Sequence, residues 1–307
     1  MTESIILHHY DNSPYAEKIR LMFGLSNMPW SSLLSPAWPP RPNLDPLTGG
    51  YRRIPVAQIG ADIFCDSTLI AQEVARLSAS TALDPTAVDG DALELMKQAE
   101  GQVFFAAIAT VPPLRLITTM LQGFGPIGTY RFIKDRISLL KGGASRPPKG
   151  DKAKVVMASL FYALDARLDG FAWVGGDNPS VADLAVFHPL WLHVNCNRKP
   201  LVASPRIQQW YQRVENIGHG SRTEIAQADA FKAARESQPR QVPASVADSP
   251  VAIGSAVEVA PIDYGVVPVA GTLAAVTETR IIVARETADF GTLHVHFPRA
   301  AYSIVAK

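Results

Sequence analysis

Periodicity changes twice along the chain. Residues 4–10, "SIILHHY", read as a strand. Ser13 can cap the helix that follows, with Pro14 in the first turn, where its missing N–H costs nothing. Ala16, Ile19, Arg20, Phe23 and Gly24 continue at helical spacing. Proline and glycine punctuate residues 35–50, which predicts loop. "IPVAQIG" (54–60) and "DIFCD" (62–66) read as two strands joined through Gly60-Ala61, a hairpin. From Ser67, "STLIAQEVARL" places Leu69, Ile70, Val74 and Leu77 on one side of a helix. The predicted order is strand, helix, loop, strand, strand, helix.

From about Asp84 to Glu236 the spacing is helical. The long apolar segment "ALELMKQAEGQVFFAAIATV" comes first, followed by "GTYRFIKDRISLL", the loop "KGGASRPPKGD" and the helix "KAKVVMASLFYALDARL". "SVADLAVFHPLWLHV" reads as a buried helix that Pro189 is expected to bend, and "PRIQQWYQRVENI" and "EIAQADAFKAAR" complete the set. Ser180 and Asp183 fit a Ser-x-x-Asp capping box, a folding device without chemistry. The pattern then turns to alternation. Residues 251–307 hold short valine-rich strands with glycine turns, which predicts a small antiparallel barrel-like β module. So short a segment has a thin core, so it should dock on the rest. The expected divisions are 1–82, an α/β domain; 85–236, an all-helical domain; 237–250, a linker; and 251–307, the β module.

Composition narrows the class. Apolar residues make up 47% and charged residues 19%, enough for a sizeable core, and the net charge of +1 gives no electrostatic case for nucleic acid. Cys65 and Cys196 stand far apart without a disulfide or metal pattern, and a reducing cytoplasm fits them. "MTESIILHHYD" lacks the layout of a signal peptide, and no apolar run approaches a membrane span, so the expectation is a soluble cytoplasmic protein with no membrane partner.

Four motifs in order resemble the glutathione transferase superfamily. "SPYAEKIR" resembles the active-site turn of its serine- and cysteine-type classes, and "RRIPV" the segment carrying the family's cis-proline, here Pro55. "CDST" resembles the acidic-Ser pair that grips the γ-glutamyl end of glutathione, and "VGGDNPSVADLAVF" the loop and capping box of the central helix of the second domain. The resemblance spans roughly residues 4–235 and implies a thioredoxin-like N-terminal domain followed by an all-α domain. The C-terminal module departs from it.

The resemblance implies glutathione as cosubstrate. Ser67, at the positive end of a helix, can hold the γ-glutamyl carboxylate, and Asp66 can take the ammonium group. Ile54, before Pro55, carries the backbone role towards the cysteinyl amide, and Arg53 is better placed than Arg52 to meet the glycyl carboxylate. Ser13 is the expected activator of the thiol: a hydroxyl donor at a helix N-terminus favours thiolate and cannot form a mixed disulfide. Tyr10, near the end of the first strand, is the rival, and Tyr15 a weaker one.

Other groups are assigned no chemistry. Cys65 reads as a small buried strand residue, His8 and His9 point to opposite faces, and His188 and His193 are core or edge histidines. His294 and His296 share a strand face near Asp263 without an evident third ligand, so no metal is expected.

The leading function is transfer of glutathione to an electrophilic small molecule, a detoxification chemistry, in a pocket around Phe104, Phe105, Leu114 and Phe132. The alternatives are a catalytically weak glutathione-binding or scaffold protein and a thiol oxidoreductase, the latter disfavoured by the serine. Family members usually pair as homodimers; the sequence itself marks no dimer face.

Overall fold

The computed structural model describes residues 4–245 and 249–307; residues 1–3 at the start and 246–248 of the expected linker lie outside the described residues. The N-terminal unit runs β1 (Ile6–His9), α1 (Pro14–Leu25), β2 (Trp30–Leu34), α2 (Asp45–Thr48), β3 (Val56–Ile59), β4 (Asp62–Cys65) and α3 (Ser67–Ser78). β1 is parallel to β2 and antiparallel to β3, which forms the expected hairpin with β4. This is a thioredoxin-like unit with one strand more than the sequence predicts. "WSSLL" has no clean alternation, and β2 is fixed by its two neighbours, β1 and the short β5 (Arg222–Glu224), a parallel strand also absent from the sequence reading.

The helical unit holds α4 (Gly90–Gln98), α5 (Phe104–Ala109), α6 (Pro113–Leu139), α7 (Asp151–Gly170), α8 (Val181–Asn197), α9 (Pro205–Glu215) and α10 (Gln227–Arg235). The long segment expected after Asp84 is divided: a π-helical turn, Ala99–Val103, with non-helical Gly101 separates α4 from α5. α6 begins fifteen residues earlier than "GTYRFIKDRISLL" suggests, at Pro113 rather than Gly128, and breaks at Gly125, whose φ of 67° precedes Pro126. α8 is buried over its first ten residues, Val181 to Leu190, and Pro189 lies inside it. The capping box is present, and the buried Asp183 also accepts from the Val174 backbone (2.7 Å) and Trp210 Nε1 (2.8 Å). No single helix among the described residues is long and apolar enough to cross a membrane; one bent pair, Gly90–Ala109 with Pro113–Leu139, passes by length and composition.

The C-terminal strands are β6 (Ala256–Pro261), β7 (Val269–Val276), β8 (Arg280–Thr287), β9 (Gly291–Pro298) and β10 (Tyr302–Ala306). They do more than dock. β9 pairs in parallel with β4, so one sheet of ten strands runs β10-β6-β7-β8-β9-β4-β3-β1-β2-β5. Among the described residues no pairing joins β9 to β10, so closure into a barrel is not seen. The thin core expected of so short a module is solved by sharing: Leu44, Leu47, Tyr51, Val56 and Ile63 pack in one cluster with Val257, Leu273, Val283, Val295 and Phe297.

Polar contacts fasten the β4–β9 seam. His296 Nε2 meets Asp62 Oδ1 at 2.7 Å, and its ring stacks on Phe64 at 4.5 Å. Arg240, in the described part of the expected linker, is pinned: its backbone donates to Asp62 Oδ2 (2.9 Å) while its guanidinium reaches Glu73 (3.2 Å), which Arg280 also meets (3.0 Å). Burial opposes ionisation of Glu73, but the three arginines Arg240, Arg76 and Arg280 outweigh it and hold the carboxyl below its usual range. The third residue near His294 and His296 is therefore Asp62, not Asp263; ligand atoms of the three lie within 4.8 Å of one another. Burial keeps both imidazoles below their ordinary pKa; His296 and the Arg240 backbone hydrogen-bond to Asp62, while His294 Nδ1 stays 4.0 Å from it.

Candidate functional site

The turn between β1 and α1 is built as its sequence demands. Ser13 has extended backbone angles, its Oγ accepts from the Ala16 N–H at 3.3 Å, and Pro14 takes the first helical turn. Ser13 is buried. Arg20, also buried, donates to the Asp11 carbonyl at 2.7 Å and to Glu17 Oε2 at 2.5 Å, so it fixes the turn from behind; the sequence offers Arg20 only as a helical residue.

Ser13 opens on a cavity of about 1120 Å³ between the α/β unit and the helices. Tyr10, Tyr15, Arg53 and Ile54 share it, with Phe104, Phe105 and Phe132 on its apolar side. Leu114, expected in that wall, is 74% exposed and lies outside it, while Leu116 of the same helix lines it. Tyr15 is committed elsewhere. It packs against Phe104 and His188, with ring centroids 4.8 Å away in each case. Burial and then Tyr264 push its phenol well above the ordinary value, so it stays protonated. His188 is a buried core histidine, and His193 Nδ1 meets the Ala107 carbonyl at 2.9 Å. Cys65 is buried in β4 with its thiol pushed up by burial, and burial also raises that of Cys196, which lines the cavity.

The Ile54–Pro55 bond is cis. Asp66 is the N-cap of α3, accepting from Thr68 N at 2.9 Å through Oδ1, and Ser67 is the first residue of that helix. Asp66 sits at φ 81° and ψ 135°, a region that costs a non-glycine residue roughly 1–3 kcal/mol. Its other oxygen is already taken: Arg53 Nη1 lies 3.4 Å and the Tyr302 hydroxyl 3.3 Å from Oδ2. Neither Asp66 nor Ser67 lines the cavity; Arg53 stands between.

What the sequence left unseen comes from the C-terminal module. Arg53 forms an ion pair with Asp263, donates to the Tyr264 carbonyl through Nη2 (2.6 Å), and lies 4.0 Å from the Tyr264 ring centroid. Tyr302, on β10, links Asp66 to Tyr51 through a 2.6 Å phenol–phenol contact. The segment 262–265 is clamped by the end of the helical unit: Ser145 N donates to the Asp263 carbonyl (2.9 Å) and Gly265 N to the Leu139 carbonyl (2.6 Å). Gly143 permits this approach, since a Cβ there would lie 1.9 Å from the Asp263 oxygen. Asp263 and Tyr264 read as an ordinary turn in the sequence, and only the long-range pairing of β9 with β4 brings them to Arg53.

A second arginine group also lines the cavity. Arg52 pairs with Asp135 of α6, and Arg136 beside it donates to the Ala37 carbonyl at 2.6 Å. Arg41 is 1% exposed, and its guanidinium bonds only to carbonyls, those of Pro36, Arg52 and Ala37. Burial, then the neighbouring charge of Arg52, pushes its pKa down to about 10.

Comparison with known proteins agrees with this fold. Residues 7–81 match the glutathione S-transferase N-terminal domain family and residues 127–217 the C-terminal domain family. A crystal structure of a GST-like protein from Pseudomonas syringae is similar over 98% of both chains, at 28% identity and a TM-score of 0.72, so the likeness extends through the C-terminal strands. A glutathione S-transferase from Rhodospirillum rubrum F11 matches at 14% identity and TM-score 0.48, with 69% of this chain and 87% of that one covered. The disulfide-bond oxidoreductase YfcG of Escherichia coli (strain K12) is 30% identical over 69 residues, which are 22% of this chain and 30% of that protein's length.

Proposed function

Since the chain belongs to the glutathione S-transferase superfamily, we propose that it binds glutathione at the Ser13 cavity and activates the thiol for attack on a small electrophile. The observation that supports this best is the sharing of one cavity by Ser13, Tyr10, Ile54 and an apolar wall from the helices. Ser13 Oγ accepts from the backbone through a lone pair, which leaves its own proton to donate to sulfur. An ordinary thiol titrates near ~8.5, so bringing it two units lower takes roughly 2.7 kcal/mol in favour of thiolate. A hydroxyl donor at the positive end of α1 is a fitting source. In this proposal the Ile54 backbone meets the cysteinyl amide, and Asp66 and Ser67 hold the γ-glutamyl end. The unusual backbone of Asp66 favours a functional role for that residue. The glycyl carboxylate meets Arg53 by replacing Asp263. A soluble homodimer in the cytoplasm belongs to the same proposal.

One observation favours the second reading, a glutathione-binding protein with little turnover: Asp263, Tyr264 and Tyr302 already occupy the polar groups of Arg53 and Asp66. Mixed-disulfide chemistry, the activity suggested by the name of the Escherichia coli relative, finds no thiol at Ser13. Retention on immobilised glutathione combined with conjugation assays on several electrophiles separates the readings. Retention with turnover supports the transferase, retention without turnover on any electrophile the binding protein, and loss of retention with full-length folded protein contradicts both.

A further inference from the structure

Away from the cavity, one side-chain cluster joins two units that lie far apart in the chain. His294 and His296 alternate on β9, so they share a face. β9 runs parallel to β4, with Asp62 opposite His294 and Phe64 opposite His296. The sequence places no third ligand near the two histidines; the fold supplies one across the β4–β9 seam. His296 Nε2 lies 2.7 Å and His294 Nδ1 4.0 Å from the same oxygen, Asp62 Oδ1. One ligand atom from each of the three falls within 4.8 Å of the others.

The three groups are in the state a cation needs. Burial is the largest influence on both imidazoles; it lowers their pKa and keeps them neutral at neutral pH. Burial opposes ionisation of Asp62, but the hydrogen bond from His296 and then that from the Arg240 backbone outweigh it, so Asp62 is a carboxylate. His294 Nδ1 is buried without a hydrogen-bond partner among the described residues, a costly state unless something joins it. The His296 ring is held by its stack on Phe64, and the carboxylate by the Arg240 N–H on its other oxygen, Oδ2. Two cations stand close. Arg240 Nε is 3.4 Å from Oδ2, and Arg280 acts on His296 from nearby. Both guanidiniums also meet Glu73, and Glu286 adds negative charge on the His294 side. Oδ1 is left to the imidazoles, and the partly exposed Arg240 has Glu73 to turn to when a second cation arrives.

We propose that Asp62, His294 and His296 form a zinc site that ties the C-terminal module to the α/β unit. Two imidazoles and one carboxylate are a donor set that favours zinc over magnesium or calcium. Ligands in a tetrahedral zinc site sit roughly 3.4 Å apart, a spacing that the 2.7 and 4.0 Å separations bracket. A carboxylate only accepts, so His296 Nε2 now carries the proton. On binding, that proton moves to Nδ1 and the Nε2 lone pair goes to the metal, with no net proton released; water takes the fourth position. The site is independent of the thiol chemistry proposed for the cavity.

Calorimetry of the full chain, first stripped with a chelator, tests this with zinc chloride. One equivalent is expected to bind, cobalt(II) chloride should give the intense visible bands of a tetrahedral site, and zinc should raise Tm because it favours the folded chain. His294→Gln is expected to lose at least about tenfold in zinc affinity. His294→Cys, which restores a ligand, should keep the affinity, a rescue that a merely structural histidine would not show. His219→Gln, at a part-exposed histidine paired with Glu17, should change nothing. If the His294 variants fail to fold, the imidazole NMR resonances of the wild-type chain carry the test, and those of His294 and His296 should shift together with zinc. A wild-type chain that takes up neither metal would overturn the proposal. So would zinc affinity unchanged in His294→Gln, or imidazole resonances of His294 and His296 that zinc leaves in place, either of which would mean an adventitious ion only.

Discussion

Arg53 and Arg41 face the same cavity and are both nearly buried, yet they are solved in opposite ways. Arg53 has two carboxylates, Asp66 and Asp263, a carbonyl and a tyrosine ring. Burial opposes its charge, but the phenol and carboxylate groups packed round it win and hold its pKa above the ordinary value. Arg41 has three carbonyls, and burial with like charges holds its pKa down. One arginine is neutralised by carboxylates; the other is held by backbone carbonyls with its charge uncompensated by a side-chain partner. The same comparison separates what the C-terminal module does from what the family fold does. The module completes the surroundings of Arg53, whereas among the described residues the hydrogen-bond partners of Arg41 all come from the N-terminal unit.

The strongest way to break the comparison is to remove the module. Ending the chain near Pro243 strips Asp263, Tyr264 and Tyr302 from Arg53 and Asp66 and leaves the Arg41 group intact. It also bares the β4 edge and the shared core around Leu47, Tyr51 and Ile63. The expected outcome is loss of cooperative folding, seen as an insoluble or non-melting product. A soluble fragment that melts like the full chain would mean that 251–307 is a separate domain after all.

Point changes come next in size. Arg53→Gln leaves Asp66 and Asp263 facing each other without their shared cation; both carboxylates keep some contact with water, so the loss falls between the ~1 kcal/mol of a surface pair and the ~3–5 kcal/mol of a fully buried one. Arg41→Gln loses three guanidinium–carbonyl hydrogen bonds, each worth about 1.5–3 kcal/mol with a charged donor, but relieves like-charge crowding. Denaturant melts of the two variants measure the two losses, with Arg53→Gln expected to be the weaker protein because it leaves two carboxylates unpaired whereas Arg41→Gln also relieves repulsion. Equal losses would erase the distinction.

A smaller effect separates the module from the ligand. Asp263→Asn keeps the loop's backbone hydrogen bonds and removes the carboxylate that competes for Arg53. Glutathione affinity should rise several-fold, up to about tenfold, for a competing charge worth about 1 kcal/mol on this part-exposed pair. An unchanged or weakened affinity in calorimetry would show that Asp263 does not stand in the peptide's place.

Much of this was legible in the residues. Ser13-Pro14, Asp66-Ser67 and the Ser180/Asp183 box are local devices, in which the donor and its partner lie within a few positions, and each folds as its sequence says. β2 and β5 were not legible, because they are strands through their neighbours rather than their own alternation. Asp263 and Tyr302 could not be placed beside Arg53 either: their approach depends on β9 joining β4 across most of the chain. Arg41 is a borderline case. It lies in a proline-rich segment that reads as a solvated loop, and only the fold shows it buried.

Activation of a thiol by Ser13 is the claim on which the functional account turns, and the ultraviolet band of bound thiolate tests it most directly. Titrating glutathione bound to the wild-type, Ser13→Ala and Tyr10→Phe proteins compares the two hydroxyls at the same cavity. The account predicts a thiolate band at neutral pH in the wild type and in Tyr10→Phe. In Ser13→Ala the thiol pKa should rise, with conjugation slowed by the worth of one charge-assisted hydrogen bond, ~1.5–3 kcal/mol, or roughly tenfold to more than a hundredfold. A band that survives Ser13→Ala and vanishes in Tyr10→Phe would contradict it, leaving Ser13 as no more than the cap of α1.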